Sequence, residues 1–212
     1  MDSIKEQKIR GKISQFIIRT QKKYEKFKKE DMAINPFLAS ALKLDQEGTL
    51  RSFLTQRLQR GIVTSFGSLL QEIAKALDSD AKIEDVDLLI KKRGVDHYVQ
   101  LKSGPEGFTR PALRKTRAAF EKLKLKNPFC KTTIAFCYGE KTQLSKIWGT
   151  EVYQSADIVL IGKEFWDYFF GEDCYDKLIN IFKTIAPEDK KGKIERKSFY
   201  EILETTLERI LK

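Results

Sequence analysis

The chain has 212 residues, of which 41% are hydrophobic and 33% charged; this is enough to build one sizeable core and excludes an intrinsically disordered chain. No stretch approaches the roughly 20 consecutive apolar residues that cross a bilayer, and no apolar segment follows the charged N-terminus as in a secretory signal, so we expect a cytoplasmic protein with no membrane segment. An excess of 40 Lys and Arg over 30 Asp and Glu leaves a net charge of +10, which favours a polyanionic partner such as nucleic acid without demonstrating one.

The first part of the chain is predicted to be helical. Apolar residues recur near helical spacing from Ile4 to Lys29, in a segment whose lysines fit either a solvated helix face or a phosphate-binding surface. Asn35-Pro36-Phe37 breaks this pattern. Three further helices are predicted: a short one before Gly48, one over 49–59, and one over 64–77 that begins at a cap on Thr64 or Ser65.

The predicted helix over 64–77 carries a candidate catalytic carboxylate, Glu72. Its apolar residues share one face at a period of 3.6. Glu72 falls on the margin of that face, beside the small residues Ser65 and Ala76, so its side chain can point inward.

A β-hairpin follows, with strands over 86–90 and 97–102 and a polar turn through 93–96. Ser103-Gly104-Pro105 ends the second strand. The remaining elements are a basic helix over 111–124, strands over 132–138 and 158–161, helices over 163–170, 176–185 and 197–211, and a lysine-rich loop over 189–193.

Cysteine and histidine chemistry has little support. Cys130, Cys137 and Cys174 are odd in number and lack paired metal-ligand spacing, so we expect buried free thiols and neither disulfides nor a zinc site. His97 is the only histidine, which excludes mechanisms that need a histidine pair, and its place near the turn predicts an exposed side chain. No glycine-rich phosphate loop is present, so a nucleotide-dependent activity is not supported.

Asp87, Gln100 and Lys102 form the candidate catalytic site. Side chains two apart on a strand share a face, and the hairpin brings Asp87 close to Gln100 and Lys102. Metal-dependent phosphodiester hydrolysis needs oxygen ligands and a cation that orients the attacking water. Asp87, the amide oxygen of Gln100 and the main-chain carbonyl of Leu101 would hold Mg²⁺, and Lys102 would position the water. The alternative is an ordinary half-exposed hairpin with incidental charges.

Two further carboxylates belong to this prediction. Glu72 could join the site directly or through a water molecule. Asp85 is a rival to Asp87 as the metal ligand, because both lie on one strand face if the strand begins early. Asp87 is preferred for the sequence that surrounds it and for its spacing from the hairpin turn.

This arrangement resembles the D…(D/E/Q)xK signature of the restriction-endonuclease-like, or PD-(D/E)XK, nuclease superfamily. Gln100-Leu101-Lys102-Ser103-Gly104-Pro105 resembles the Q-[IL]-K-S-G-P variant in a family of Type II restriction endonucleases, some of which cut interrupted GG…CC palindromes. The resemblance covers roughly residues 30 to 185. The other landmarks similar to that family are Asn35-Pro36-Phe37, Thr64-Ser65-Phe66-Gly67 followed by Glu72, and Gly162-Lys163-Glu164-Phe165-Trp166.

The resemblance implies an α/β fold with a restriction-endonuclease-like central mixed sheet flanked by helices and with helical N- and C-terminal elaborations. We expect a single endonuclease domain over 1–212, with a mainly helical region over 1–60, the catalytic core over 61–170 and C-terminal helices over 171–212. The implied activity is Mg²⁺-dependent hydrolysis of double-stranded DNA at a short palindrome, leaving 5′-phosphates, by a homodimer with one active site per strand. The commonest second ligand in the superfamily is Glu or Asp, so neutral Gln100 predicts weaker metal binding, although Gln also occurs in active members.

The loop and basic helix after the site are the predicted DNA-binding surface. The loop over 104–110 can approach the DNA backbone, and an arginine in this region could read guanine. The alternative interpretation is that these lysine and arginine side chains are simply solvated and bind no partner. Two other functions stay open: a non-catalytic binding module with a nuclease fold, and a repair or junction-resolving nuclease. The candidate contacts are Ser103, Thr109, Arg110, Arg114 and Lys115.

Overall fold

The computed structural model describes residues 2–77, 86–189 and 192–211. They form two compact units. The first comprises Met1–Arg10 and Leu69–Thr184, and the second comprises Gly11–Ser68 and Ile185–Lys212. The interpretation of residues 1–212 as one domain stays a prediction.

A four-stranded mixed sheet lies in the first unit, with its strands in the order β1-β2-β3-β4. Strand β1 (Leu88–Lys92) runs antiparallel to β2 (Val95–Lys102). Strands β2, β3 (Lys131–Phe136) and β4 (Ile158–Ile161) are parallel to one another. Since helices flank this sheet, the predicted α/β class is confirmed.

Helices make up most of the remaining structure. Among the described residues, no helix is both long and apolar enough to span a membrane. The helices are α1 (Ser3–Glu25), α2 (Pro36–Ala41), α3 (Gln46–Leu77), α4 (Arg110–Lys126), α5 (Lys141–Trp148), α6 (Lys163–Phe170), α7 (Cys174–Thr184) and α8 (Phe199–Leu211).

Helix α3 is continuous, so the prediction of two helices with a cap at Thr64 or Ser65 is wrong. The Ser65 hydroxyl donates to the Gly61 carbonyl at 2.8 Å, as hydroxyl groups inside helices do. A Cβ at Gly61 would collide with the hydroxyl of Tyr24, which itself donates to the Leu58 carbonyl at 3.4 Å. Gly61 therefore gives room for a close approach and does not end the helix, although glycine costs a helix interior about 1 kcal/mol.

Two other elements differ from the prediction. The expected loop over 189–193 instead contributes to two short antiparallel strands, β5 (Glu188–Asp189) and β6 (Gly192–Lys193). Helix α5 was not predicted. Like α6 it has eight residues and buries two, Leu144 and Trp148, but most of its other residues are polar, so its apolar residues are too few to show a helical period.

The core of the first unit packs α4 and α5 against one face of the sheet. Ile134 and Phe136 of β3 are completely buried there, and full burial of such a side chain stabilises the fold by about 1.5–3 kcal/mol. The rest of the buried cluster is Phe108, Leu113, Phe120, Leu123, Leu144, Trp148, Val152 and Ile161.

The second unit has a separate helical core in which α8 packs with parts of α1 and α3. Arg209 of α8 donates to the Tyr24 carbonyl at 3.0 Å, which ties the end of α1 to α8. The buried residues of this cluster are Tyr24, Phe27, Leu50, Leu54, Leu58, Ile202, Leu203 and Leu207.

The three cysteines are buried free thiols, as predicted. Burial raises the pKa of the Cys174 thiol to about 11, with the negative charge of Asp167 acting in the same direction. A thiol with so high a pKa is almost wholly protonated at neutral pH and is a poor nucleophile or metal ligand.

His97 is buried, and the prediction of an exposed side chain is wrong. Its ring meets those of Phe169 and Tyr168 edge-on, at centroid distances of 5.2 and 6.0 Å. Burial lowers the pKa of His97, and the charges of Lys92 and Lys131 lower it further. His97 is therefore a neutral core residue at neutral pH.

Candidate active site

A two-residue turn at Arg93 and Gly94 sets the register of the hairpin. Their φ angles of 50° and 80° are both positive, as in the type I′ turns whose twist matches that of antiparallel strands. In this register Asp87 lies just before β1, and its N–H donates to the Val99 carbonyl at 3.1 Å. The turn thereby carries Asp87 to the far end of β2, as the sequence predicted.

The Asp87 carboxylate is the centre of the site. Its Oδ2 atom accepts hydrogen bonds from the Gln100 side-chain amide and from the Leu101 N–H, the latter at 2.8 Å. Burial raises the pKa of Asp87, whereas the Leu101 N–H and the positive charges of Lys102 and Lys75 lower it. The structure thus brings Asp87, Gln100, Leu101 and Lys102 together, and their catalytic roles stay predictions.

The Leu101 carbonyl lies on the same side of β2 as Asp87. Leu101 is beyond the paired part of β1, and within a strand the N–H and C=O of one residue point to the same side. The Gln71 side-chain amide donates to this carbonyl at 3.5 Å, which is long for a hydrogen bond. A carbonyl oxygen has two lone pairs, so it retains capacity for a metal ion.

Lys102 is held in place by an aromatic ring. Its ammonium nitrogen lies 4.8 Å from the centroid of the Phe108 ring, within the range of a cation–π contact. Phe108 in turn packs edge-on against Phe136 and Trp148, at centroid distances of 6.0 and 6.3 Å. The Lys102 carbonyl accepts from the Cys137 N–H at 2.8 Å, so both ends of the residue are fixed to the core.

The glycines of the motif allow close packing at the ends of the parallel strands. A Cβ at Gly104 would lie 2.5 Å from the Tyr138 ring. Gly162 has a φ of 55°, and a Cβ there would lie 2.8 Å from the Gly139 carbonyl oxygen. Pro105 also lies against Gly139. These motif positions support the strand ends and supply no reactive group.

Helix α3 presents residues to the site that the sequence did not predict. Gln71 contacts the Leu101 carbonyl, and Lys75, one turn later, acts electrostatically on Asp87. Glu72 is exposed to solvent. Gln71 and Glu72 lie about equally far from the centre of the apolar face, on opposite flanks, so helical periodicity alone could not select the flank that meets the hairpin.

The oxygen groups at the site are suited to bind Mg²⁺, although weakly, because only one of them is charged. Among the described residues, no group of three or more His, Cys, Asp or Glu side chains could hold a metal ion. Mg²⁺ is instead commonly bound by one or two carboxylates together with waters and substrate phosphates. Asp87 supplies a carboxylate and Leu101 a carbonyl, and Gln100 would supply an oxygen by rotation of its amide. Asp85 lies outside the described residues.

The predicted DNA contacts lie on the segment that leaves β2. Ser103 is half-buried, and Thr109 is the N-cap of α4, where its hydroxyl oxygen accepts from the Ala112 N–H at 3.4 Å. Arg114 and Lys115 are exposed on the following turn of α4. Arg110, also exposed, lies 3.6 Å from Glu151. All five are accessible to a ligand to some degree, and their binding roles stay predictions.

Comparison with known proteins identifies the family. No curated protein matches the chain. The model of the family described as Type II restriction endonuclease EcoO109I matches residues 3–190, which include the whole four-stranded sheet and the candidate site. The chain therefore belongs to the Type II restriction endonuclease EcoO109I family.

Proposed function

We propose that the chain is a Mg²⁺-dependent restriction endonuclease of the PD-(D/E)XK type that cuts double-stranded DNA at a short palindromic sequence. Its family supports the nuclease activity. The observation that carries the proposed site is the Asp87 carboxylate, bonded at once to the Gln100 side chain and to the Leu101 N–H at the end of β2. Lys102 follows on the same strand, with its ammonium held over Phe108.

The proposed mechanism is direct attack by water. Asp87, the Gln100 amide oxygen and the Leu101 carbonyl would hold Mg²⁺, which when bound supplies a Lewis acid for the scissile phosphate. Lys102 orients the attacking water and offsets the charge that develops on the phosphate. Water loses a proton to solvent and bonds to phosphorus, the bond to the 3′ oxygen breaks, and that oxygen takes a proton from solvent, so the products carry a 5′-phosphate and a 3′-hydroxyl. No side chain forms a covalent intermediate.

Glu72 is proposed as an additional acidic member of the site. Gln100 carries no charge, so among the ligands proposed above only Asp87 offsets the charge of the metal ion. Glu72 is exposed on the flank of α3 opposite to Gln71, so it would act on the metal from outside the ligand shell, through bridging water.

The proposed enzyme is a cytoplasmic homodimer. A palindromic target has two-fold symmetry, and one active site per strand requires two copies related by the same symmetry. The net charge of +10 favours the approach of each copy to DNA.

Digestion of plasmid and genomic DNA tests this proposal. With Mg²⁺ the purified protein should give discrete bands, and chelation of the metal with EDTA should abolish them. The fragments should be ligatable without added kinase, because their 5′ ends carry phosphate. A preference for branched substrates would indicate a junction-resolving nuclease, and salt-sensitive binding without cleavage would indicate a non-catalytic module.

Gln100→Glu should lower the Mg²⁺ concentration needed for half-maximal cleavage by about tenfold, which corresponds to 1.4 kcal/mol of tighter metal binding. The added carboxylate provides the charge that the amide lacks. Without metal, two adjacent carboxylates repel, so the variant should also gain more thermal stability than wild type on addition of Mg²⁺.

The matched control is Gln56→Glu, which adds the same charge at an exposed position of α3. It should leave the Mg²⁺ requirement unchanged. An unchanged or higher requirement in Gln100→Glu would contradict the role of Gln100 as a metal ligand.

A further inference from the structure

A groove beside α4 gathers three arginines. It encloses about 340 Å³ between the first half of the helix and the residues that follow α5. Its main lining residues are Arg110, Leu113, Arg114, Arg117, Glu151 and Gln154. We call this concavity the α4 groove.

Positive charge in the α4 groove exceeds negative charge. Arg117 pairs with Glu121 along the helix at 3.2 Å. Arg110 and Glu151 lie 3.6 Å apart, and both are exposed, so their attraction is weak in water. Arg114 takes part in no ion pair among residues 2–77, 86–189 and 192–211. Within the described part of the chain, the Arg114 guanidinium of the groove therefore has no anionic partner, and the pair between Arg110 and Glu151 is weak enough for a phosphate to displace Glu151.

We propose that the α4 groove binds one phosphate of the DNA backbone and that Glu151 occupies the phosphate position when DNA is absent. This inference rests on the proposed nuclease function and deepens it. A guanidinium forms paired hydrogen bonds with phosphate, and arginines at positions 110, 114 and 117 lie on one helix face, where they can surround one anion. The Glu151 carboxylate lies across the groove, 3.6 Å from the Arg110 guanidinium, so phosphate and Glu151 compete for Arg110.

The α4 groove and the candidate active site adjoin the same buried cluster. Leu113 lines the groove and is buried in the same cluster as Phe108. The ring of Phe108 makes the cation–π contact with the Lys102 ammonium. A phosphate held in the groove would therefore fix the duplex relative to Lys102, as contacts to the DNA backbone commonly do.

Binding of duplex DNA by full-length protein, measured by fluorescence anisotropy in EDTA at several salt concentrations, tests the groove. Arg114→Ala should weaken binding about tenfold, the effect of losing a charge-assisted hydrogen bond. The slope of log K against log salt should fall by about 1. Glu151→Gln should tighten binding by about threefold and steepen that slope, because it removes the competing carboxylate.

The controls match each change in charge elsewhere in the same unit. Lys122→Ala removes a positive charge from an exposed position of α4 outside the groove, and Glu172→Gln removes a negative charge between α6 and α7. If Arg114→Ala behaves like Lys122→Ala, or if Glu151→Gln binds no more tightly than Glu172→Gln, the proposal is overturned.

Two further results distinguish DNA binding by the groove from binding of a free anion and from the nuclease proposal. If Arg114→Ala loses affinity for inorganic phosphate but binds DNA like wild type, the groove takes a free anion and the proposal is overturned. The binding assay contains no Mg²⁺ and no cleavage occurs in it, so the expected Arg114 and Glu151 effects support the groove even if DNA digestion fails. Conversely, wild-type digestion without these effects overturns the groove and leaves the nuclease proposal intact.

Discussion

Asp87→Asn should reduce cleavage of double-stranded DNA by about a thousandfold or more at saturating Mg²⁺. Asparagine keeps the shape of the side chain and can still accept the Leu101 N–H, but it removes the negative charge proposed to bind the metal. Because burial raises the pKa of the Asp87 carboxyl, replacing it with a neutral amide should not reduce thermal stability. Cleavage rates, melting temperatures and DNA affinity in EDTA should be measured on the same preparation.

Asp96→Asn is the control for this change. Asp96 is also half-buried on β2, where it accepts a hydrogen bond from the Asn127 amide at 3.2 Å, but it lies at the opposite end of the strand. This variant should cut DNA at close to the wild-type rate. Full activity in Asp87→Asn would refute the assignment of the catalytic site, whereas a large loss of stability would indicate that Asp87 has a structural role.

Lys102→Met should lower the cleavage rate by about a hundredfold to a thousandfold, the range measured for removal of one group that stabilises transition-state charge. Methionine retains an unbranched apolar chain that can pack against Phe108, so the substitution removes the ammonium with little change in volume. DNA binding in EDTA should weaken far less than cleavage. Single-turnover kinetics would show whether the chemical step is the one affected.

Lys91→Met provides the matched loss of charge. Lys91 is exposed on β1 in the same hairpin, near the turn. The Lys91→Met variant should cleave DNA at the wild-type rate, with only a small change in the salt dependence of cleavage. If the Lys91 and Lys102 variants lose activity equally, then Lys102 acts only through the overall charge and the proposed positioning of water is incorrect.

The hairpin and the geometry of its site were predictable from the sequence. Alternating side chains on β2 place Gln100 and Lys102 on one face, as predicted. The turn is shorter than the predicted 93–96: it consists of Arg93 and Gly94, and it sets the register that brings Asp87 to Gln100. These are local effects that depend on residues close along the chain.

The contribution of α3 was not predictable in the same way. The apolar period identifies the buried face of a helix, but the two flanks of that face are equivalent until another element packs beside one of them. Only the packed structure shows that Gln71 approaches Leu101 and that Lys75 acts on Asp87. Continuity of the helix through Gly61 also depends on a distant residue, Tyr24, which leaves no room for a larger side chain.

The sequence by itself determined the four strands of the main sheet, the positive net charge and the set of chemical groups at the end of β2, because each of these follows from residue type and short-range spacing. Tertiary structure decided which side chains are withdrawn from water. His97, predicted to be exposed, is instead enclosed by Tyr168 and Phe169, residues about 70 positions later in the chain. Tertiary structure also placed Glu151 beside Arg110 and formed the α4 groove, because contacts between elements distant in sequence arise only when those elements pack together.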